Sequence, residues 1–224
     1  DYTDSEEKIG HALSGVRDKI YIATKTSAKT VDKFWQDLDT SLHNLNTDYV
    51  DIYQFHNPAF CPKPGDGSGL YEAMLKAREQ GMIRYIGITN HRMAVAEEAV
   101  ESGLYDTLQF PFNYLSTERE LALAESCRKQ NMGFIAMKGL SGGLITDYAW
   151  MLSHENVLPI WGVQREAELD EFISYIDNPP ELTDERNAVI EKDRKELAGS
   201  FCRACGYCLP CPSGIEINLC ARMS

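Results

Sequence analysis

Two rhythms of apolar and polar residues alternate along the chain. Six short runs, rich in β-branched and aromatic residues, read "KIYIATK" (19–25), "YVDIYQFH" (49–56), "IRYIGITN" (83–90), "TLQFPFN" (107–113), "GFIAMK" (133–138) and "VLPIWG" (157–162). Such runs predict strands buried on both faces, as in a parallel sheet. Between them the apolar positions recur every three to four residues, the period of helices. "TVDKFWQDLDTSLHNL" (30–45) opens with Thr30 as N-cap and sets Val31, Phe34, Trp35, Leu38, Leu42 and Leu45 along one side, a stripe that reads as core. "TERELALAESCRKQNMG" (117–133) begins with a Thr117–Glu120 capping box and ends near Gly133. In "REAELDEFISYI" (165–176), Leu169, Phe172, Ile173 and Ile176 keep helical spacing.

Strands alternating with helices predict an α/β fold with a parallel sheet. No GxGxxG follows a strand, which weighs against an open dinucleotide-binding sheet. A (β/α)8 barrel of the TIM type needs eight strands. The six runs therefore mean either another architecture or a barrel whose first two strands lie outside this sequence. The barrel-like pattern covers residues 1–198, and a cysteine-rich segment occupies 199–224.

Composition narrows the partners. The formal charge of −12 opposes nucleic acid and anionic membranes, which select basic faces. No apolar window approaches the roughly 20 residues of a membrane span, and no signal-peptide pattern opens the chain. Seven cysteines, four of them crowded into one decapeptide, suit a cytoplasmic metal-binding protein better than a secreted disulfide framework.

In barrels the chemistry sits where strands end. Those ends are Lys25, His56, Thr89, Asn90, Gln109, Met137, Lys138 and Gly162. A lysine closing an apolar strand is either solvated there or held for chemistry, because burying an ammonium is costly. His56 taken alone reads as a structural histidine. His11, His43, His91 and His154 read as surface or structural, and Cys61 and Cys127 as packing or exposed thiols. "KPGDGSG" (63–69) reads as a turn-rich loop over the strand ends, and "GLSGGL" (139–144) as a weak phosphate cradle or a flexible loop.

Taken together, Tyr2 with "SEEKIGHAL", "IYIATK" ending at Lys25, "DIYQFHNP" with His56, "IGITNH" with Asn90 and "LQFPFNY" with Gln109 resemble the aldo-keto reductase family in order and spacing. The resemblance implies reduction of a small aldehyde or ketone by hydride from NADP(H) or NAD(H). It implies Tyr2 as the acid, Lys25 as the cation that lowers its pKa, and His56 as the donor that orients the carbonyl. It further implies that Thr89, Asn90 and Gln109 hold the nicotinamide carboxamide. By position, Met137, Lys138, Leu140, Gly162, Gln164 and Glu168 would line the remainder of the cofactor, with Arg165 as the nearby cation for a 2′-phosphate. The family has an aspartate five residues before its tyrosine; Asp1 immediately precedes Tyr2 and is not given that role. The stretch between Gly143 and Pro159 is also shorter than the family's, and Met137 and Lys138 stand where many members place an aromatic.

"FCRACGYCLPCPSG" (201–214) spaces Cys202, Cys205, Cys208 and Cys211 three residues apart. Residues so close seldom form disulfides, and structural zinc prefers two CxxC pairs with a longer spacer. The run resembles half of a ferredoxin-like extension binding a 4Fe–4S cluster, with Cys220 or a distant thiol as a further ligand. Zinc and uncoordinated thiols remain as alternatives. Two other functional classes also stay open at this level: a nicotinamide-linked electron-transfer protein with an electron-transfer partner, and a non-catalytic barrel subunit.

Overall fold

The computed structural model describes residues 4–141, 145, 147–163, 165–197 and 211–220. All six predicted strands are present: β1 (Ala23–Thr26), β2 (Val50–His56), β3 (Ile83–Thr89), β4 (Thr107–Pro111), β5 (Gly133–Met137) and β6 (Val157–Pro159). The helices are α1 (Ser5–Leu13), α2 (Val31–Asn44), α3 (Leu70–Glu79), α4 (Met93–Ser102), α5 (Glu118–Lys129), α6 (Ala149–Leu152), α7 (Glu166–Asp177), α8 (Asp184–Glu196) and α9 (Ile217–Cys220), with a 3-10 turn at Ser14–Lys19. Both predicted caps form. The Thr30 hydroxyl accepts from the Lys33 N–H, and Thr117 and Glu120 exchange side-chain-to-backbone hydrogen bonds. One boundary moves: Lys25 does not close β1, because Thr26 continues it.

The chain divides into two compact units, Asp1–Phe110 with Ala122–Ile135, and Pro111–Leu121 with Ala136–Ser224. The boundary expected at residue 198 falls among residues outside those described.

In the first unit β1, β2, β3 and β4 pair in parallel and in chain order. Period-two alternation gives each strand two unlike faces. One face is apolar and packs under the helices. Phe34 of α2 meets Tyr53 edge-on at 5.6 Å between ring centroids and lies 6.5 Å from Phe55. Ile86, Ile88 and Leu108 continue that face, and all are fully buried with Leu38 and Met74. Trp35 is only half-buried and carries Lys76 over its ring at 5.9 Å, so it edges this core instead of filling it. The other strand face bears Lys25, Gln54, His56, Thr89 and Gln109.

At the opposite ends of these strands Asp51 is wholly buried. Its carboxylate accepts from the Ile22 N–H at 2.9 Å and pairs with Arg17 at 2.9 Å and Arg84 at 2.7 Å. Both guanidiniums also stack on Tyr49, at 3.9 and 4.2 Å from its centroid. One carboxylate thus ties β2 to β3, to the residue before β1 and to the 3-10 turn.

In the second unit the end of β5 lies beside β6, and the Ile160 N–H donates to Ala136 O at 3.0 Å. The predicted face of α7 differs from a core stripe. Phe172 stacks on Trp161 at 5.4 Å, but Leu169, Ile173 and Ile176 are exposed among the described residues. On α8, Arg186 reaches the nearly buried Asp147 at 3.0 Å, Arg194 donates to Tyr114 O at 2.8 Å, and Asp193 accepts from the Tyr114 hydroxyl.

The Asp51 cluster leads to a stability prediction. Asp51→Asn keeps the volume but leaves two guanidiniums beside a neutral amide. It should lower unfolding free energy by about 3 kcal/mol, read from urea denaturation. A loss under about 1 kcal/mol would mean the cluster does not organise the strands.

Candidate active site

Register arranges the polar strand face in two rows. Lys25 pairs with Gln54, Gln54 with Gly87, and Gly87 with Thr107. One step nearer the strand ends, His56 pairs with Thr89 and Thr89 with Gln109. Directly paired residues of parallel strands face the same way, so Lys25 and His56 occupy one surface in adjacent rows.

Gly87 makes the inner row possible. A Cβ there would lie 2.5 Å from Thr107 Oγ1 and 2.7 Å from Gln54 Cγ. The space above its Cα is filled by those two polar side chains. Neither Gln54 amide atom nor Thr107 Oγ1 finds a hydrogen-bond partner among the described residues, although Gln54 is fully buried. Such groups cost free energy in an apolar core, so this face is built for polar company.

Electrostatics couples the rows. Burial holds Lys25 below the ordinary lysine value, and no ion pair to it occurs among the described residues. Burial first, and the Lys25 charge second, push His56 below 6.5, so the imidazole is neutral at physiological pH. A neutral imidazole offers one N–H and one acceptor nitrogen. Because folding lowers this pKa, the unfolded chain binds the proton better, and the linked stability falls as pH drops through 6.5.

Thr89 ends β3, Asn90 follows it and Gln109 lies within β4, and all three are buried. The side chain of Asn90 is largely engaged with the backbone. Its Nδ2 donates to Pro58 O at 2.9 Å, and its Oδ1 accepts from the N–H groups of His91 and Arg92 at 2.9 and 2.8 Å. Its own N–H donates to Gln109 O at 3.1 Å, and the Asn57 N–H donates to Thr89 O at 2.8 Å. Asn90 therefore joins the loops after β2 and β3.

In the second unit Met137 is buried, and Lys138 adopts a left-handed conformation with φ 61°. Lys138 O and Ser141 Oγ both accept from Asn113 Nδ2 at 3.0 Å. Leu140 is half-buried in that same turn. A Cβ on Gly139 would press on Trp161 at 2.8 Å, whereas Gly162 faces open space. Glu168 accepts from the Arg165 N–H and pairs with its guanidinium at 2.7 Å, so both are committed to the start of α7.

Tyr2, Gln164, Cys202, Cys205 and Cys208 lie outside the described residues. Cys211 is half-buried and Cys220 exposed, both as free thiols, and no group of three or more metal-ligating side chains occurs among the described residues. Cys61 and Cys127 are buried, and burial pushes their thiols up to about 11 and about 12, values of unreactive packing residues. Sequence reasoning passed over Gln54, Gly87, Thr107 and Arg92. A polar residue and a glycine inside otherwise apolar strands were the available signals for the first three.

Near His56 a cavity of about 550 Å³ opens among the loops after β1, β2 and β3, with Ser27, Lys29, Phe60 and Arg92 in its wall.

A sequence profile of the Aldo/keto reductase family matches residues 2–148. Among curated proteins, methylglyoxal reductase DkgB of Salmonella typhi is 39% identical over 105 residues, covering 43% of this chain and 38% of that protein. The chain thus spans well under half the length of such relatives. Among solved structures, an aldo/keto reductase from Klebsiella pneumoniae in complex with NADP and acetate superposes with a TM-score of 0.68 at 22% identity. That match covers 84% of this chain and 75% of the other. The apo aldo-keto reductase AKR11C1 from Bacillus halodurans gives 0.69 at 21% identity, covering 84% and 76%. These structures share the fold.

Two substitutions probe the polar face. Lys25→Met removes a half-buried ammonium and should raise unfolding free energy by about 1 kcal/mol. The His56 titration, followed by NMR of its ring protons, should move up toward 6.5 without reaching it, because burial acts first. A downward move would contradict the coupling. Gly87→Ala should destabilise by about 2 kcal/mol, since the packed side chains of Gln54 and Thr107 must yield.

Proposed function

The chain belongs to the aldo/keto reductase family, and from that premise we propose that it reduces a small aldehyde or ketone with hydride from NAD(P)H. The observation that carries the proposal is the shared face of Lys25 and His56, adjacent in register and electrostatically coupled. The name of the matched methylglyoxal reductase supports a small carbonyl substrate. The NADP held by the Klebsiella structure supports NADP(H) as the cofactor.

The residues present fit a nicotinamide. Thr89 and Gln109 carry hydroxyl and amide groups in neighbouring register positions, and Asn90 keeps one amide N–H beyond its backbone contacts. These are the donors and acceptors a carboxamide needs. Met137, Lys138, Leu140, Gly162 and Gln164 remain the proposed positions for the rest of the cofactor. Glu168 and Arg165 would first have to give up each other. Bound reduced nicotinamide supplies the hydride.

The protein's own part is polarisation and proton delivery. His56, kept neutral, donates its ring N–H to the carbonyl oxygen, where negative charge develops. Tyr2, placed by its sequence motif, gives that oxygen its proton. The Lys25 ammonium stabilises the resulting tyrosinate, which lowers the cost of the transfer. Carbon gains the hydride, oxygen gains the proton, and Tyr2 is reprotonated from solvent.

Spacing alone supports the finer reading of Cys202, Cys205, Cys208 and Cys211 as ligands of a 4Fe–4S cluster, with which an electron-transfer partner would belong. Iron and sulfide in equal amounts after anaerobic purification would support the cluster; stoichiometric zinc without iron would remove it.

The reductase reading is tested by NADPH fluorescence titration together with carbonyl turnover. Tyr2→Phe should cut kcat about a hundredfold or more while NADPH still binds. Full activity in that variant would sink the mechanism. Failure of the unmodified chain to perturb NADPH fluorescence would favour a non-catalytic role.

A further inference from the structure

The inner row of the polar strand face carries more polar surface than the side chains around it satisfy. Lys25 of β1, Gln54 of β2 and Thr107 of β4 stand on it in register, with Gly87 of β3 between the last two. Gln54 is wholly buried, yet its Oε1 and Nε2 have no hydrogen-bond partner among the described residues, and neither has Thr107 Oγ1. Buried polar atoms of native proteins are paired, with protein or with ordered water, because leaving them bare costs more than a hydrogen bond gains. Lys25 shares the condition. Burial alone lowers its pKa, and among the described residues no hydrogen bond or neighbouring charge opposes the loss of its proton.

Gly87 lets the neutral groups converge. A Cβ there would lie 2.5 Å from Thr107 Oγ1, 2.7 Å from Gln54 Cγ and 3.3 Å from Gln54 Nε2, so the hydroxyl and the amide crowd one point above the glycine. A single water bridges groups that converge in this way, and a buried water typically makes about three hydrogen bonds. The row supplies three such groups: the Gln54 amide, the Thr107 hydroxyl, and the ammonium of Lys25, the register partner of Gln54. The carboxylates near these strands are engaged elsewhere. Glu6 accepts from the Thr24 and Ser41 hydroxyls at 2.5 and 2.9 Å, and Asp37 accepts from the Thr26 hydroxyl at 2.6 Å, both on the helix face with Tyr53. Asp51 is held at the far ends of the strands by Arg17 and Arg84. Asp106 accepts from the Ile86 N–H at 2.8 Å and faces Arg78 at 3.6 Å. His56, one row nearer the strand ends, shares the face of Lys25.

We propose that the inner row binds ordered water between Gln54 and Thr107, that this water accepts a hydrogen bond from the Lys25 ammonium, and that Gln54 is thereby a positioning residue that keeps Lys25 charged. The water donates its hydrogens to Gln54 Oε1 and Thr107 Oγ1 and so turns a lone pair toward Lys25. A lone pair stabilises an ammonium and gives a neutral amine nothing to accept. The hydration stands on the register and burial of these side chains. Its service to proton transfer rests on the reductase reading, in which a charged Lys25 stabilises the tyrosinate.

The test reads Lys25 directly in the full chain, by the pH dependence of its Cε chemical shift, the signal being assigned by its loss in Lys25→Met. Gln54→Met keeps the length of the side chain and removes both amide atoms, and the Lys25 pKa should fall by about half a pH unit or more. Thr107→Val keeps the shape and removes the hydroxyl, and should lower that pKa too. Thr107→Ser keeps the hydroxyl and should leave it nearly unmoved. Packing alone would reverse that order, since serine fills the space less well than valine. NOEs from water should reach the Gln54 side-chain N–H protons in the unmodified chain. The urea midpoint should fall in Gln54→Met, because a satisfied amide is lost; a rise would mean that the amide was bare. An unchanged Lys25 pKa in Gln54→Met, a larger shift in Thr107→Ser than in Thr107→Val, a raised urea midpoint, or no water NOE at Gln54 overturns the proposal. Turnover is read separately. With NADPH and a small aldehyde, the alkaline limb of kcat should move down with the Lys25 pKa in Gln54→Met. If the Lys25 titration moves while that limb does not, or while the unmodified chain reduces no carbonyl, the hydrated row stands and the reductase reading of Lys25 falls.

Discussion

Everything on the polar strand face depends on the register of β1, β2 and β3, and a buried carboxylate holds that register. Side chains alternate with a period of two, so a slip of one residue would turn Lys25 and His56 under the helices and bring Tyr53 or Phe55 to the site. Hydrogen bonds between parallel strands are regular and would tolerate such a slip. Asp51 would not, because its oxygens accept from the N–H of Ile22 and pair with Arg84 on β3 and with Arg17. Tyr49, stacked on both guanidiniums, keeps the cations close while their outer faces meet solvent. The clamp and the chemistry occupy opposite ends of the same strands, so selection on one end need not disturb the other.

Stability and chemistry are divided between the two faces of each strand. Under α2, α3 and α4 the strands present Tyr53, Phe55, Ile86, Ile88 and Leu108, and this burial supplies the favourable term in folding. On the opposite face the fold accepts penalties: an ammonium whose burial lowers its pKa, a fully buried amide, and a hydroxyl without a partner among the described residues. Grouped in adjacent rows with His56, they make sense as a site prepared for polar ligands, where stability is given up for function.

The sequence was most legible where local rules act alone. Run length and β-branched content located all six strands, and the caps at Thr30 and Thr117 formed because each needs only residues three positions away. Of the expected strand ends, His56 and Thr89 do close β2 and β3, whereas Lys25 and Gln109 lie inside β1 and β4. What stayed hidden depends on neighbours distant in the chain. Gly87 looks like a weak point in a strand until Gln54 and Thr107 are seen to fill the space above it. The spacing of Leu169, Ile173 and Ile176 predicts a helix correctly, but periodicity cannot say whether a helix face is covered, and these side chains are exposed among the described residues. Arg165 and Glu168 suit an adenosine site by position, and their three-residue spacing at a helix start also lets them pair with each other.

Asparagines near strand ends show why role and residue type separate. Asn90 follows β3 and spends its amide on Pro58, His91 and Arg92; in the second unit Asn113 follows β4 and spends its own on Lys138, Ser141 and the Leu115 N–H. An amide offers a donor and an acceptor on one rigid plane, which is what a backbone segment presents and also what a carboxamide presents. Sequence alone therefore cannot distinguish an asparagine that binds a cofactor from one that fixes a loop. The structure shows the second use in full, and it is what positions Arg92 at the cavity and supports the left-handed turn at Lys138 and Ser141, conformations that cost free energy for any residue with a Cβ. A loop placed by two or three such bonds can hold a charge at a defined point without a helix or strand beneath it.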